Sequence, residues 1–328
     1  LNSTTFQQHQ GHNHIIVCTH WSRFEFRISK HNPQLFVKDS NYPYYPKLWN
    51  VTLAGPRDRQ GIQKLFASNQ YNAQKKDGYQ NVFHWERYQL TRSTFSLGNL
   101  PIPSLQLLQP SLQRFQQAKF FLFYHIRPTE YHQPLSTKLR RAVLQPNILQ
   151  YLNTNANTHM MKPSSVGYDI PKEQWMQHIT NAQFCLVVRG DDPKSHALLR
   201  ALKVGCIPVV ISDAYPEYAP TFQSTIHIHE YSIPINEQQW LQNTKQELSK
   251  LYHISQNQTF IQDKLTALAW AQQVILPDHP QSLFVPAFIK EARQAQQEQR
   301  SETTLQQYKQ NNNIPEPDTS KAGWQSLP

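Results

Sequence analysis

Long hydrophobic runs are missing from this 328-residue sequence: nowhere do apolar residues approach the ~18 in succession that a membrane-spanning helix needs. No charged-then-apolar stretch opens the chain, so no secretion leader is visible in it. The chain starts at Leu1, which leaves room for an anchor or signal upstream, and the compartment is not read from these residues. Cysteine is scarce. Cys18, Cys185 and Cys206 have no metal-type spacing and are too few for a disulfide framework. Cys185 and Cys206 lie in or beside apolar strand-like runs and read first as small buried core residues, with a Cys185–Cys206 bridge as the second alternative. Acidic residues are in deficit, 22 Asp plus Glu against 32 Lys plus Arg, a formal balance of +10. That surplus favours anionic partners such as sugar nucleotides, acidic glycans or phospholipid headgroups. With neither zinc-finger spacing nor an aromatic-basic RNA-binding pattern, nucleic acid is not expected as a partner.

What is present is enough for two α/β domains of ordinary size, each able to bury a core. Runs of β-branched and aromatic residues at His14–Cys18, Asn81–Trp85 and Phe120–Tyr124 predict buried strands. Leu100-Pro101-Ile102-Pro103-Ser104 has two prolines, which remove backbone donors, and reads as a loop. Ser136 is placed to cap a helix with Leu139, Ala142 and Val143 inward. Residues 146–170, rich in Asn, Pro, Ser and Thr, read as the passage between domains. Beyond them a helix Lys172–Thr180, a strand Phe184–Val188, a helix Ser195–Val204 and a strand Ile207–Ser212 alternate as in a parallel sheet with right-handed crossovers. Amphipathic helices come next, near Glu237–Leu251, with Trp240, Leu241, Leu248 and Leu251 inward, and near Thr259–Ile275, with Phe260, Leu265, Leu268 and Trp270 inward. From about Ser301 the chain is too polar to offset its ordering entropy and predicts a frayed tail. Domains are thus expected at 1–160 and 161–300, with a disordered polar tail at 301–328.

The chemistry concentrates after the Phe184–Val188 strand. Arg189 and Gly190 enter a turn through Asp191, Asp192, Pro193 and Lys194 to Ser195, which can cap the next helix. Free N–H groups at the start of that helix, with Arg189 and Lys194 on the same loop, suit a diphosphate. An ordinary β–α turn, with Asp191 and Asp192 favouring the turn and the helix dipole, explains the same residues, and both readings stay open. Three Asn-x-Ser/Thr tripeptides, at Asn2, Asn50 and Asn257, permit glycosylation in a secretory lumen. His9, His12 and His14 resemble a metal cluster only by count, so no metal is assigned. His227 and His229 alternate with Ile226 and Ile228 as on the face of a half-buried strand.

Phe184-Cys185-Leu186, Arg189-Gly190, Ser195, then Gly205-Cys206-Ile207-Pro208-Val209-Val210-Ile211-Ser212-Asp213, with Pro220 and Phe222 after them, resemble the signature region of the exostosin-like glycosyltransferases. Weaker similarity in His14–Trp21, Ile102-Pro103, Phe120–Tyr124 with Leu139-Arg140, and Ile228–Glu237 extends it colinearly over about residues 10–275. The resemblance implies an α/β fold of two Rossmann-like domains facing across a cleft (GT-B-like), with the carboxy-terminal one holding a nucleoside diphosphate sugar. It implies inverting transfer of a hexosyl or pentosyl group to a glycan acceptor in the Golgi lumen, without metal or other cofactor. A membrane anchor outside this chain and a hetero-oligomer with a related transferase fit the family pattern. Donor-binding candidates are Arg189, Gly190, Lys194, Ser195, His196, Arg200, Asp213 and Glu237.

Two departures from the family pattern stand out. Where relatives read Ser-x-Arg-x-x-Glu before the Gly-Cys-Ile-Pro turn, this chain has Ser195, Ala197 and Arg200. The carboxylate that in two-Rossmann transferases grips ribose hydroxyls is therefore replaced by a group with no acceptor atoms. Arg200 either reaches a phosphate or lies on a solvated helix face. Where plant relatives show His-Asp-Trp, this chain keeps His20-Trp21 and lacks the Asp, which leaves His20 and Glu25 as candidate bases. The alternative function is a non-catalytic exostosin-like subunit or an acidic-glycan-binding protein.

Overall fold

The computed structural model describes residues 105–125, 134–155, 171–190, 195–218 and 221–311, and three short strands before them. Those strands, β1 (Ile15–Val17), β2 (Thr52–Gly55) and β3 (Thr94–Ser96), pair in parallel in the order β1-β2-β3. The expected strand at Asn81–Trp85, the loop at Leu100–Ser104 and the histidines at 9, 12 and 14 lie outside the described residues.

The second sheet is built on two almost wholly apolar strands. In β5 (Ala182–Val188) every residue except Gln183 is buried, and in β6 (Ile207–Ile211) all are. Strands buried on both faces call for helices above and below, which is the parallel-sheet solution. Accordingly β4 (Phe120–Phe123), β5, β6 and β7 (Ile233–Pro234) are parallel neighbours in that order. Because β4 pairs with β5, this sheet takes in chain from both sides of the compositional break at 146–170.

One face carries α4 (Lys172–Thr180) and α5 (Ala197–Lys203), enclosing Phe123, Trp175, Ile179, Cys185, Ala201, Val204 and Cys206. The other face packs against α1 (Leu112–Gln117), α2 (Pro134–Ala142), α3 (Pro146–Asn155), α8 (Glu237–Ser255) and α9 (Gln258–Ile275). Short helices α6 (Tyr215–Tyr218) and α7 (Ile228–Tyr231) lie between β6 and β7, and α10 (Phe284–Asn311) closes the described chain. Helix α10 comes within 8 Å, Cα to Cα, of β2 and β3. Among the described residues no helix is long and apolar enough to cross a membrane.

Several sequence expectations change. Cys185 and Cys206 are buried as expected but form a disulfide, because parallel pairing of β5 with β6 sets their Cα atoms 5.8 Å apart. Part of the presumed interdomain passage is helix α3: Pro146 suits a first-turn position, and Ile148 and Leu152, four apart, are both buried. Ser136 does not cap α2; it is its third residue, fully buried. The segment carrying His227 and His229 is not a strand, for His227 caps α7 and its N–H donates to Glu230 Oε1 at 2.8 Å, closing a capping box. Leu241 and Trp270, expected inward, are 36% and 42% exposed. Helix α10 passes Ser301 and continues to Asn311, since Gln, Glu, Lys and Arg are good helix formers and no Gly or Pro interrupts that stretch.

The Gly-Cys-Ile-Pro turn has a plain structural cause. Gly205 ends α5 at φ +62°, with its N–H on the Leu202 carbonyl and the Cys206 N–H on that of Ala201, a Schellman motif. A Cβ at 205 would stand 2.7 Å from the Leu108 carbonyl oxygen, so bulk as well as φ excludes other residues. Arg114 clasps this end of the sheet, donating to the carbonyls of Gly205 at 2.7 Å and Thr180 at 2.6 Å.

Candidate functional site

In open α/β sheets ligands bind beyond the carboxyl ends of the strands. Here that edge is organised around the ends of β5 and β6. The Arg189 N–H donates to the Ile211 carbonyl at 3.1 Å, carrying the ladder one residue past β5. The Arg189 carbonyl accepts from Ser136 Oγ at 3.4 Å and Arg140 Nε at 3.2 Å, both on α2. Helix α2 is itself fixed, because the Tyr124 hydroxyl donates to the Arg140 carbonyl and Trp240 Nε1 to that of Leu139 at 3.0 Å. The Arg189 guanidinium turns inward; the residue is 1% exposed, and Nη1 lies 3.8 Å from Glu237 Oε1. Arg189 and Glu237 therefore form a buried pair that ties the end of β5 to the start of α8.

Asp213 stands one strand over. Its Oδ1 accepts the Glu237 N–H at 3.0 Å, its Oδ2 accepts Asn236 Nδ2 at 2.7 Å, and its own N–H donates to Glu237 Oε1 at 3.3 Å. Burial raises the Asp213 carboxyl above its ordinary range, outweighing the Glu237 N–H and the Arg189 charge, which both lower it. Asn236 also caps α8, its Oδ1 accepting from the N–H groups of Gln238 and Gln239, each at 3.1 Å. Asp213 and Asn236 open onto a cleft of about 370 Å³ whose wall includes Ser212, His229, Ser232 and Gln239 with apolar Val210 and Ile235. Among the described residues no Lys or Arg lines it. One carboxylate, two amides, hydroxyls and an imidazole over an apolar floor suit a hydroxyl-bearing ring better than a phosphate.

At the other predicted focus, Ser195 acts as a cap: its Oγ accepts the Ala197 N–H at 3.3 Å and its carbonyl the Leu198 N–H at 3.3 Å. His196 is exposed. Arg200 is half-buried, its guanidinium 5.5 Å from the centre of the Trp175 ring on α4 in a cation–π arrangement, and its Nε is buried without a hydrogen-bond partner. The structure thus joins Arg189, Asp213 and Glu237 through direct contacts and puts Arg200 on the α4 side of α5. Gly190 comes directly after the anchored carbonyl of Arg189. Lys194, His20 and Glu25 lie outside the described residues.

Sequence reasoning missed Ser136, Arg140, Asn236, His229 and Trp175. Asn236 carried a local signal, an Asn immediately before an amphipathic helix; from the sequence Ser136, Arg140 and His229 read in other roles, and the contacts they make here come from long-range packing. Among the described residues no group of three or more His, Cys, Asp or Glu is placed to hold a metal ion.

The family model described as Exostosin GT47 domain matches residues 63–250, more than half of the chain. A crystal structure of a GtfA/B complex aligns over 77% of this chain and 55% of that one, at 11% identity and a TM-score of 0.29. The chain thus spans about half the length of that structure's chain, and the likeness is too distant to bear on fold or function. No curated protein matches the sequence.

Proposed function

The chain belongs to the exostosin GT47 domain family, and from that we propose that it transfers a sugar from a nucleoside diphosphate donor to a glycan acceptor, with inversion and without a metal ion. The observation that carries the reading is the polar cleft beyond β6 and β7, where Asp213 is held by Asn236 and Glu237. In this proposal Asp213, Asn236 and Gln239 take hydroxyls of the donor. The diphosphate is taken at the start of α5, where Ser195 and His196 stand, and Lys194 is the candidate cation for it. Arg189 and Glu237 are positioning residues, because both are buried and act through the strand end and the start of α8. The acceptor hydroxyl attacks the anomeric carbon, the bond to the diphosphate oxygen breaks, and a base takes the hydroxyl proton. His20 and Glu25 are the candidates for that base. The sheet β1-β2-β3 supplies the facing lobe of a two-domain cleft, and the reach of α10 to β2 and β3 supports a link between the lobes.

The Cys185–Cys206 bridge supports an oxidising compartment and hence a lumenal, Golgi-type placement with any anchor outside these residues. The test is a panel of nucleotide sugars, with donor hydrolysis or transfer and thermal shift as readouts. Protection by one nucleoside diphosphate and its sugar is expected, and turnover should fall about tenfold or more in Asp213→Ala, given the worth of hydrogen bonds to a charged group. No response to any donor would count against the proposal.

A second reading has its own observation. Arg200 occupies the position where relatives carry the ribose-gripping carboxylate, and it is stacked on Trp175. That arrangement favours a subunit that has lost donor binding and serves as a partner of a related transferase or a binder of acidic glycan. Ala197→Arg with Arg200→Glu separates the two: a gain of donor protection supports the second reading, and a loss supports the first.

A further inference from the structure

Asn257 is the last residue of the turn between α8 and α9, Gln258 and Thr259 open α9, and all three residues are exposed. Of the three Asn-x-Ser/Thr tripeptides, this one lies among the described residues. The Asn257 backbone is extended, at φ −86° and ψ 92°, and its Oδ1 caps α9 by accepting the Phe260 N–H at 3.1 Å. Among the described hydrogen bonds none engages Asn257 Nδ2, which leaves the amide nitrogen open to solvent. Neither Gln258 nor Phe260 is a proline, so the tripeptide is not blocked from within or behind.

We infer that Asn257 is an N-glycosylation site. The inference rests on the lumenal placement supported by the Cys185–Cys206 bridge and does not need the transferase chemistry. In the reaction, Asn257 Nδ2 attacks the anomeric carbon of an oligosaccharide carried on a polyprenyl diphosphate. The N–C bond forms, the C–O bond to the diphosphate breaks with its electron pair leaving on oxygen, and one Nδ2 proton passes to a base of the transferring enzyme. Oδ1 is untouched, so the glycosylated side chain still caps α9. Modification and helix start are thus compatible at one residue, because they use different atoms of the same amide. The glycan leaves from the opposite end of the 19-residue α8 to the one where Asn236 and Glu237 contact Asp213.

The experiment is secretion of the full chain from a eukaryotic cell line, then peptide mass mapping before and after glycoamidase treatment in heavy-oxygen water. The expected result is a glycan on the peptide containing Asn257, converted by the enzyme to heavy-labelled aspartate. Asn257→Asp keeps a good capping residue, and Thr259→Ala leaves Asn257 in place; each should remove one glycan from the intact mass without loss of folding. Secreted protein with Cys185–Cys206 closed and Asn257 unmodified would overturn the inference, as would variants that leave the intact glycan mass unchanged. Donor turnover measured on the same samples judges the transferase reading separately.

Discussion

The two ends of β6 carry the densest part of the family signature, yet they do opposite work. At the amino end, Gly205 and Cys206 are enclosed: the glycine by Leu108 and Arg114, the cysteine by its bridge to Cys185. At the carboxyl end, Ser212 and Asp213 meet an open polar cleft. The difference teaches that a short run of family-type residues serves two ends, and that the division runs along the strand: residues ahead of Ile207 hold the sheet, and residues past Ile211 face the cleft.

Four substitutions or conditions would break or sharpen that contrast. The largest effect belongs to the amino end. Replacing Cys185 and Cys206 together by Ala opens a loop with a sequence separation of 21 residues and should cost about 3 kcal/mol of stability, measured by urea unfolding with and without reductant. Gly205→Ala comes next, at about 2 kcal/mol, since the left-handed backbone costs an L-residue about 1–2 kcal/mol and the Leu108 carbonyl must also give way; the same unfolding curve reads it. Asp213→Asn should shift stability by less than about 1 kcal/mol while weakening nucleotide-sugar protection about tenfold, because an amide loses the charge-assisted acceptor but keeps the shape. If that substitution destabilised the chain as much as Gly205→Ala, the division between the ends would fail.

The smallest effect is a pH dependence. Burial lifts the Asp213 carboxyl above its ordinary 3.8, so the folded chain holds that proton more tightly than the unfolded chain does. Its contribution is therefore fully present below the unfolded value and is lost as pH rises through the raised folded value. Unfolding free energies of the parent chain minus those of Asp213→Asn should fall with rising pH across the acid range. A difference that rises instead would mean that the Glu237 N–H and the Arg189 charge, not burial, dominate.

Much of the second sheet is legible in the sequence because its signals are local. The apolar runs at 184–188 and 207–211 admit no polar face, and Trp240, Leu248 and Leu251, eight and three residues apart, fall on one helix face and mark an inward stripe. Features that depend on distance along the chain are not legible there. Pairing of Cys185 with Cys206 comes from the sheet register, and the placement of Arg200 over Trp175 from the packing of α5 beside α4. The same holds for the site. Asp213 and Glu237 stand out through the family pattern, but that Asn236 joins them and that Arg189 turns inward to Glu237 is visible only in the folded chain. Helix α3 is hidden for a different reason: its Asn- and Thr-containing composition outweighs two apolar residues spaced for a helix face.

The carbonyl of Arg189 is pinned twice by α2, once by a hydroxyl and once by a guanidinium, and α2 is riveted in turn to Tyr124 and Trp240. The strand end is thus a fixed abutment. Arg189 and Gly190 leave the sheet from a point held on both sides, by β6 through the Arg189 N–H and by α2 through its carbonyl.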